Sequence, residues 1–188
     1  MNEIIKQSIE SHINTINLLD KSTLSKIDAA ALLIINALKK NHTVFWCGNG
    51  GSASQANHLS AELVGGMYKK KIKPSNSICL NTDIAFITAW SNDDSFDNIF
   101  VRQLEAIGNE GDILLSLSTS GESKNIINGA KFAKENKIKN VSFTGNSGNS
   151  LEIYSDININ INTNDTQRIQ EMHIMIGHII CDIVENGL

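Results

Sequence analysis

Isoleucine or leucine recurs at positions 5, 9, 13, 16 and 19, a spacing near 3.6 that predicts a helix over residues 2–19. A second helical stripe of Leu24, Ile27, Ala31, Ile34, Ile35 and Leu38 predicts a helix reaching Lys40, capped by Ser22 or Thr23. After residue 42 the pattern changes. Short apolar runs at 43–47, 77–80, 112–117 and 141–144, with a weaker one at 156–161, read as strands buried on both faces. Helical patterns lie between and after them, at 53–65, 83–90, 97–108, 123–136 and 166–186. Strands alternating with helices predict an α/β fold. The expected architecture is three layers around a doubly wound, five-stranded parallel sheet, with two N-terminal helices and a long C-terminal helix.

Residues 1–188 are expected to form one domain, with an α/β core at 42–188. No repeat or long linker divides the chain, and its one proline, Pro74, precedes the second strand. The two helices within 1–41 exceed what one small sheet needs as cover, so they either cap it or form a bundle between subunits. The chain has 188 residues, 41% hydrophobic and 19% charged, enough for a substantial core. A net charge of −4 and the lack of basic clusters with aromatics exclude nucleic acid as partner. Lys69-Lys70-Lys71 reads as a solvated turn. Cys47, Cys79 and Cys181 lack any metal or redox spacing and read as buried free thiols. The N-terminus has no apolar signal core, and the richest apolar run, Ala29 to Leu38, is too short to cross a bilayer. The expected location is the cytoplasm, with no membrane partner.

Two loops follow strands and open helices. One is Gly48-Asn49-Gly50-Gly51-Ser52; the other is Ser118-Thr119-Ser120-Gly121-Glu122-Ser123. In the second, four hydroxyls and a helix N-terminus can all donate to one oxyanion, which suits a phosphate monoester. Neither GxGxxG nor GxxxxGK[ST] is present, so a nucleotide is not indicated. His58 and Glu62 are four apart on one helical face. On the last helix Gln170 and His178 are eight apart on roughly one side, and His173 lies between them. That helix carries Ile169, Ile174, Ile176, Ile179, Ile180 and Ile183 around much of its circumference, so its polar residues need partners. The residues alone indicate a sugar or polyol phosphate as ligand.

Four stretches together carry a resemblance over nearly the whole chain: CGNGGSASQANHLSAEL from 47, LNTDIAFITAWSNDDSFDNIF from 80, LLSLSTSGESKNI from 114 and RIQEMHIMIGHIICDIVE from 168. They are similar to the sugar isomerase (SIS) domain family and, within it, to the phosphoheptose isomerases. The resemblance implies the flavodoxin-like SIS fold and interconversion of sedoheptulose 7-phosphate and D-glycero-D-manno-heptose 7-phosphate. That reaction opens the route to the heptose of lipopolysaccharide core or capsule. It implies substrate contacts from Asn49, Gly50, Gly51, Ser52, Asn92, Asp93, Ser118, Thr119, Ser120, Ser123 and Gln170. It implies one zinc per subunit on His58, Glu62, Gln170 and His178, and a homotetramer whose active sites draw on more than one subunit. Glu62, which also meets the substrate, is the expected base and His178 the expected acid.

The chain departs from the family pattern at Gly66, where arginine is usual, and at Tyr68-Lys69-Lys70-Lys71. A basic contact has moved to one of these lysines or been lost. The alternative class is a non-catalytic SIS protein that associates with the replication initiator DnaA. That relative has asparagine where His178 stands and lacks a run like Thr119-Ser120-Gly121, so the enzyme is favoured. A sugar-phosphate-sensing SIS module is a third class, usually joined to a DNA-binding domain that this chain lacks.

Overall fold

A computed structural model describes residues 2–68 and 74–188. Its five strands are β1 (Val44–Gly48), β2 (Ser77–Cys79), β3 (Ile113–Ser118), β4 (Lys139–Thr144) and β5 (Ile157–Asn160). They pair in the order β2-β1-β3-β4-β5, and every pairing is parallel. The seven α-helices of the described residues are α1 (Glu3–Ile16), α2 (Lys21–Lys39), α3 (Gly51–Gly65), α4 (Ile84–Asp93), α5 (Ile99–Ile107), α6 (Lys124–Glu135) and α7 (Thr166–Gly187). Short 3-10 turns at Phe96–Asn98 and Ser150–Tyr154 complete the order.

Alternation along the strands sorts the core into two layers. Val44, Trp46, Ile113, Leu115, Leu117, Val141, Phe143 and Ile159 point to one face and pack with α2, α3 and α7. Phe45, Cys47 and Leu114 point to the other and pack with α5 and α6. The expected three-layer sheet is therefore observed. At the amino ends of the strands, buried Asp112 accepts from the amides of Thr43 and Asn109, both at 2.8 Å, and ties β1 to β3.

The cap of α2 differs from the expectation. Asp20 rather than Ser22 or Thr23 holds that place, its Oδ1 accepting from the Thr23 amide at 2.7 Å and the Thr23 hydroxyl at 2.9 Å. A carboxylate meets the free amides and the positive end of the helix together. The same bonds hold the Asp20 carboxyl below its ordinary range. α3 starts two residues earlier than its apolar pattern, at Gly51, because Gly50 takes a left-handed φ of 55° and turns the chain directly into the helix. Gly66 caps the carboxyl end of α3 with a φ of 79°, which disfavours any residue with a Cβ. Glycine in place of the family's arginine thus has a backbone reason. Lys69, Lys70 and Lys71 lie outside the described residues.

α1 is held to α7 from its inner side. The buried Arg168 Nη1 donates to the Ser8 carbonyl, Arg168 Nη2 meets Glu171 at 2.7 Å, and His12 Nδ1 lies 2.5 Å from Glu171. Its outer side carries Ile5, Ile9 and Ile13, each about half exposed. Cys47, Cys79 and Cys181 are free and buried as expected. Burial pushes the thiols of Cys47 and Cys181 up to about 12, Glu62 and Glu185 adding to the effect at Cys181.

Candidate active site

The chain leaves β1 for the edge strand β2 and then returns to form β3 on the other side of β1. The connections after β1 and β3 therefore diverge, which opens a crevice at their carboxyl ends. Both polar loops border it. Neither Gly50 nor Ser123 caps its helix with a side chain. The amides of Gly51, Lys124 and Asn125 stay available to an anion, whereas those of Ser52 and Ile126 are already used by Asn49 and Asn125. A reciprocal amide pair joins the two loops: Asn49 Nδ2 donates to Asn125 Oδ1 at 2.8 Å and Asn125 Nδ2 to Asn49 Oδ1 at 2.9 Å. Asn81 clamps the first loop from the other side, accepting from the Gly48 amide and donating to the Gly48 carbonyl.

Within the second loop Ser118 is buried, Thr119 and Ser123 are half-buried and Ser120 is exposed. Ser118 Oγ accepts from the Gly121 amide at 3.1 Å and lies 3.5 Å from Ser123 Oγ. Ser120 Oγ accepts from the Glu122 amide. These bonds use acceptor lone pairs, so the Ser120 hydroxyl proton stays free to donate. Gly121 has a φ of 68°, which makes this turn possible. Ser52 is buried in the first turn of α3, its amide donating to the Asn49 carbonyl.

Gln55, His58 and Glu62 share one face of α3, three and four residues apart. Across from them on α7 stand Gln170 and His178. His58 Nε2 lies 2.8 Å from His178 Nε2, with the rings edge to face and 5.0 Å between centroids. At that distance one imidazole carries the proton and the other accepts it. Glu62 Oε1 is 3.5 Å from His58 Nε2. The donor atoms of all three residues lie within 4.8 Å of one another.

Gln170 packs against the start of α3. Its Nε2 lies 2.6 Å from where a Cβ on Gly51 would be, and its carbonyl accepts from Gln55 Nε2 at 2.7 Å. Asn92 and Asp93 fall in the last turn of α4, where they hydrogen-bond to each other and to none of the other site residues. His173 is not near the cluster. It is fully buried, donates toward the Thr144 carbonyl at 3.1 Å and packs edge-on against Phe143. Burial pushes its imidazole down to about 4. Five residues from His178, it is turned by about 140° on the helix, onto the core face.

Three residues of the site had no signal of their own in the sequence reading: Asn81, Asn125 and Gln55. Asn125 lies directly after the phosphate-type loop, and that position was the available hint. Asn81 and Gln55 act on backbone groups of other segments, which no spacing rule reveals.

A family model for the SIS domain matches residues 9–145. The chain belongs to the SIS domain family. The phosphoheptose isomerase of Aliarcobacter butzleri is 40% identical to it over 98% of this chain and 97% of that one. The solved phosphoheptose isomerase from Francisella tularensis superimposes with a TM-score of 0.93 at 33% identity, over 98% of this SIS chain and 97% of the other. The phosphoheptose isomerase GmhA of Neisseria gonorrhoeae gives 0.91 at 32% identity, over 98% of both chains.

Two imidazoles and a carboxylate with a position to spare are the donor set of several catalytic zinc sites. Bonds of 2.0–2.2 Å would separate such ligand atoms by about 3–3.5 Å. The 2.8 Å and 3.5 Å separations on His58 are close to that span. The cluster of this SIS domain therefore fits a divalent cation, with no preference among metals in its chemistry.

Proposed function

We propose that this chain is an aldose–ketose isomerase that interconverts sedoheptulose 7-phosphate and D-glycero-D-manno-heptose 7-phosphate. The His58–Glu62–His178 cluster carries the reading, supported by full-length relatives named phosphoheptose isomerase. His58 stands seven residues along α3 from Gly51, about 10 Å of helix axis. A grip at one end and acid–base groups that far along suit a sugar whose carbonyl and phosphate lie at opposite ends.

The phosphate binds at Ser118, Thr119, Ser120 and Ser123, with the uncapped amides of α6 behind them. Asn49, Gly50, Gly51 and Ser52 hold the sugar from the other loop, and Asn92, Asp93 and Gln170 complete the substrate contacts. Glu62 takes the proton from the carbon beside the carbonyl and returns it to the neighbouring carbon. Its Oε1 faces His58, which leaves Oε2 for that carbon. His178 gives a proton to the oxygen that becomes a hydroxyl, and His58 orients it. His58, Glu62, Gln170 and His178 would hold one zinc ion per subunit, and such a cation supplies electrophilic pull on the carbonyl oxygen when bound.

The working unit is a homotetramer whose α1 helices pack through Ile5, Ile9 and Ile13. Their half-exposed stripe supports that surface. No helix among the described residues is long and apolar enough to cross a membrane. The enzyme works in the cytoplasm, and its product feeds the heptose of lipopolysaccharide core or capsule. Incubation of the protein with sedoheptulose 7-phosphate should yield aldoheptose phosphate, read by nuclear magnetic resonance. Recovery of the ketose alone, from folded and metal-supplied protein, would remove the isomerase reading.

A further inference from the structure

Gly177 lies inside α7, where glycine is the least favourable residue after proline. The reason is across the seam. A Cβ on Gly177 would meet Leu59 Cδ1 at 2.3 Å, Cδ2 at 2.7 Å and Cγ at 3.1 Å. Leu59 is fully buried in the core, so it has no open space to turn into. The two helices touch along one line: Gly51 against the Gln170 side chain, Gln55 on the Gln170 carbonyl, Leu59 against Gly177, and the Cys181 thiol 3.8 Å from the Leu59 carbonyl. Residues 51, 55 and 59 form an i, i+4, i+8 ridge on α3, the row that seats in a neighbouring helix groove. Beside its tightest point stand His58 and His178, the chain neighbours of Leu59 and Gly177.

We propose that Gly177 is a positioning residue: its missing side chain lets α7 close on Leu59 and so sets the approach of His178 to His58 and the cluster's affinity for a divalent cation. The proposal rests on the reading of His178 as acid and metal ligand. A methyl group at 177 falls short of an ordinary carbon contact by roughly 1 Å, and either α7 or Leu59 must yield that distance. The seam does not include the Ser118–Ser123 loop, which belongs to β3 and the start of α6. Gly51 and Gln170, the seam's two substrate contacts, lie eight and seven residues from Leu59 and Gly177, about 10 Å along the helices. Substrate grip and catalytic alignment should therefore still separate.

The test is Gly177→Ala, Leu59→Ala and the double variant, each titrated with cobalt(II), assayed for kcat and KM, and examined metal-free by imidazole ¹⁵N resonance. Gly177→Ala should keep KM within about two-fold while kcat and cobalt affinity fall about ten- to hundred-fold, the range for misplaced ligands and supports. Its His58 and His178 resonances should lose the signature of a shared proton. With Leu59 already cut to alanine, the added Gly177→Ala should change neither quantity by more than about three-fold, because the clash is gone. Wild-type cobalt affinity and kcat in Gly177→Ala would overturn the proposal. So would a ten-fold loss on adding it to Leu59→Ala, an arm that serves equally if Gly177→Ala alone does not fold. His178→Ala separates the two levels: full activity there defeats the acid assignment, while the metal-free spectra still report whether Gly177 sets the histidine approach.

Discussion

The two faces of the sheet are built differently, and on the proposed reading the site uses each for a different task. The face under α2, α3 and α7 is apolar from β1 to β5, with one polar spot at β2 where the Ser77 hydroxyl meets Trp46 and Ser60. The opposite face turns polar toward β4 and β5. There Ser116 donates to Asn140, Asn140 to Ser155, and both Ser142 and Thr144 to Asn158, within the layer. Apolar side chains let a helix settle wherever shape allows, whereas a hydrogen-bonded ladder admits one register. Ser118, at the head of the phosphate-type loop, extends the polar face, while His58, Glu62 and His178 ride on helices of the apolar one. Anchoring an anion needs fixed points. Aligning an acid with a base needs helices whose packing sets their distance.

The sharpest way to break this division is Glu62→Gln. Turnover should fall about 10³-fold, within the range for a lost general base, while thermal unfolding and oligomer size stay near wild type. Retained turnover would take the chemistry away from the apolar face.

The next effect is smaller and concerns stability. Burial holds the His173 imidazole down at about 4, against about 6.5 in an unfolded chain. Between those values the unfolded state binds a proton that the folded state refuses, so stability drops as pH falls from about 6.5 to about 4 and this group adds no further loss below. The gap corresponds to at most about 3 kcal/mol. His173→Gln, which can still donate to the Thr144 carbonyl, should flatten that limb in urea titrations across the same pH window. An unchanged slope would mean that His173 is not the group responsible.

Ser120→Ala gives the mildest effect and addresses the polar side. One hydrogen bond to a charged group is worth about 1.5–3 kcal/mol, so KM should rise at least about ten-fold with kcat within about three-fold. A matching loss in competition by inorganic phosphate would locate the change in the grip. A fall in kcat alone would blur the two tasks.

The strands were legible because a parallel sheet buried on both faces leaves uninterrupted apolar runs, as at Ile113 to Leu117. Helix edges were less so. Asp20 displaced Ser22 and Thr23 at a cap through charge, and Gly50 moved the start of α3 through backbone freedom, neither of which apolar periodicity registers. His58 and Glu62 were readable as a pair from their spacing alone. Their meeting with His178 rested on family resemblance, since 120 residues separate the two histidines. Asn125 and Asn81 escaped notice because their partners lie on other loops. His173 lies between Gln170 and His178 in sequence, but five helical residues from His178 turn it into the core.

The placement of α7 also governs when activity can arise. Ile169, Met172, Ile176, Ile180 and Val184 pack into the apolar face, and the helix that brings them also brings His178. Closing that core and pairing the histidines are one event, and it spans most of the chain, the kind of long-range contact that forms late. A refolding molecule therefore passes through no half-active stage. Recovery of turnover after dilution from denaturant should follow the slowest burial signal, however early the strands pair.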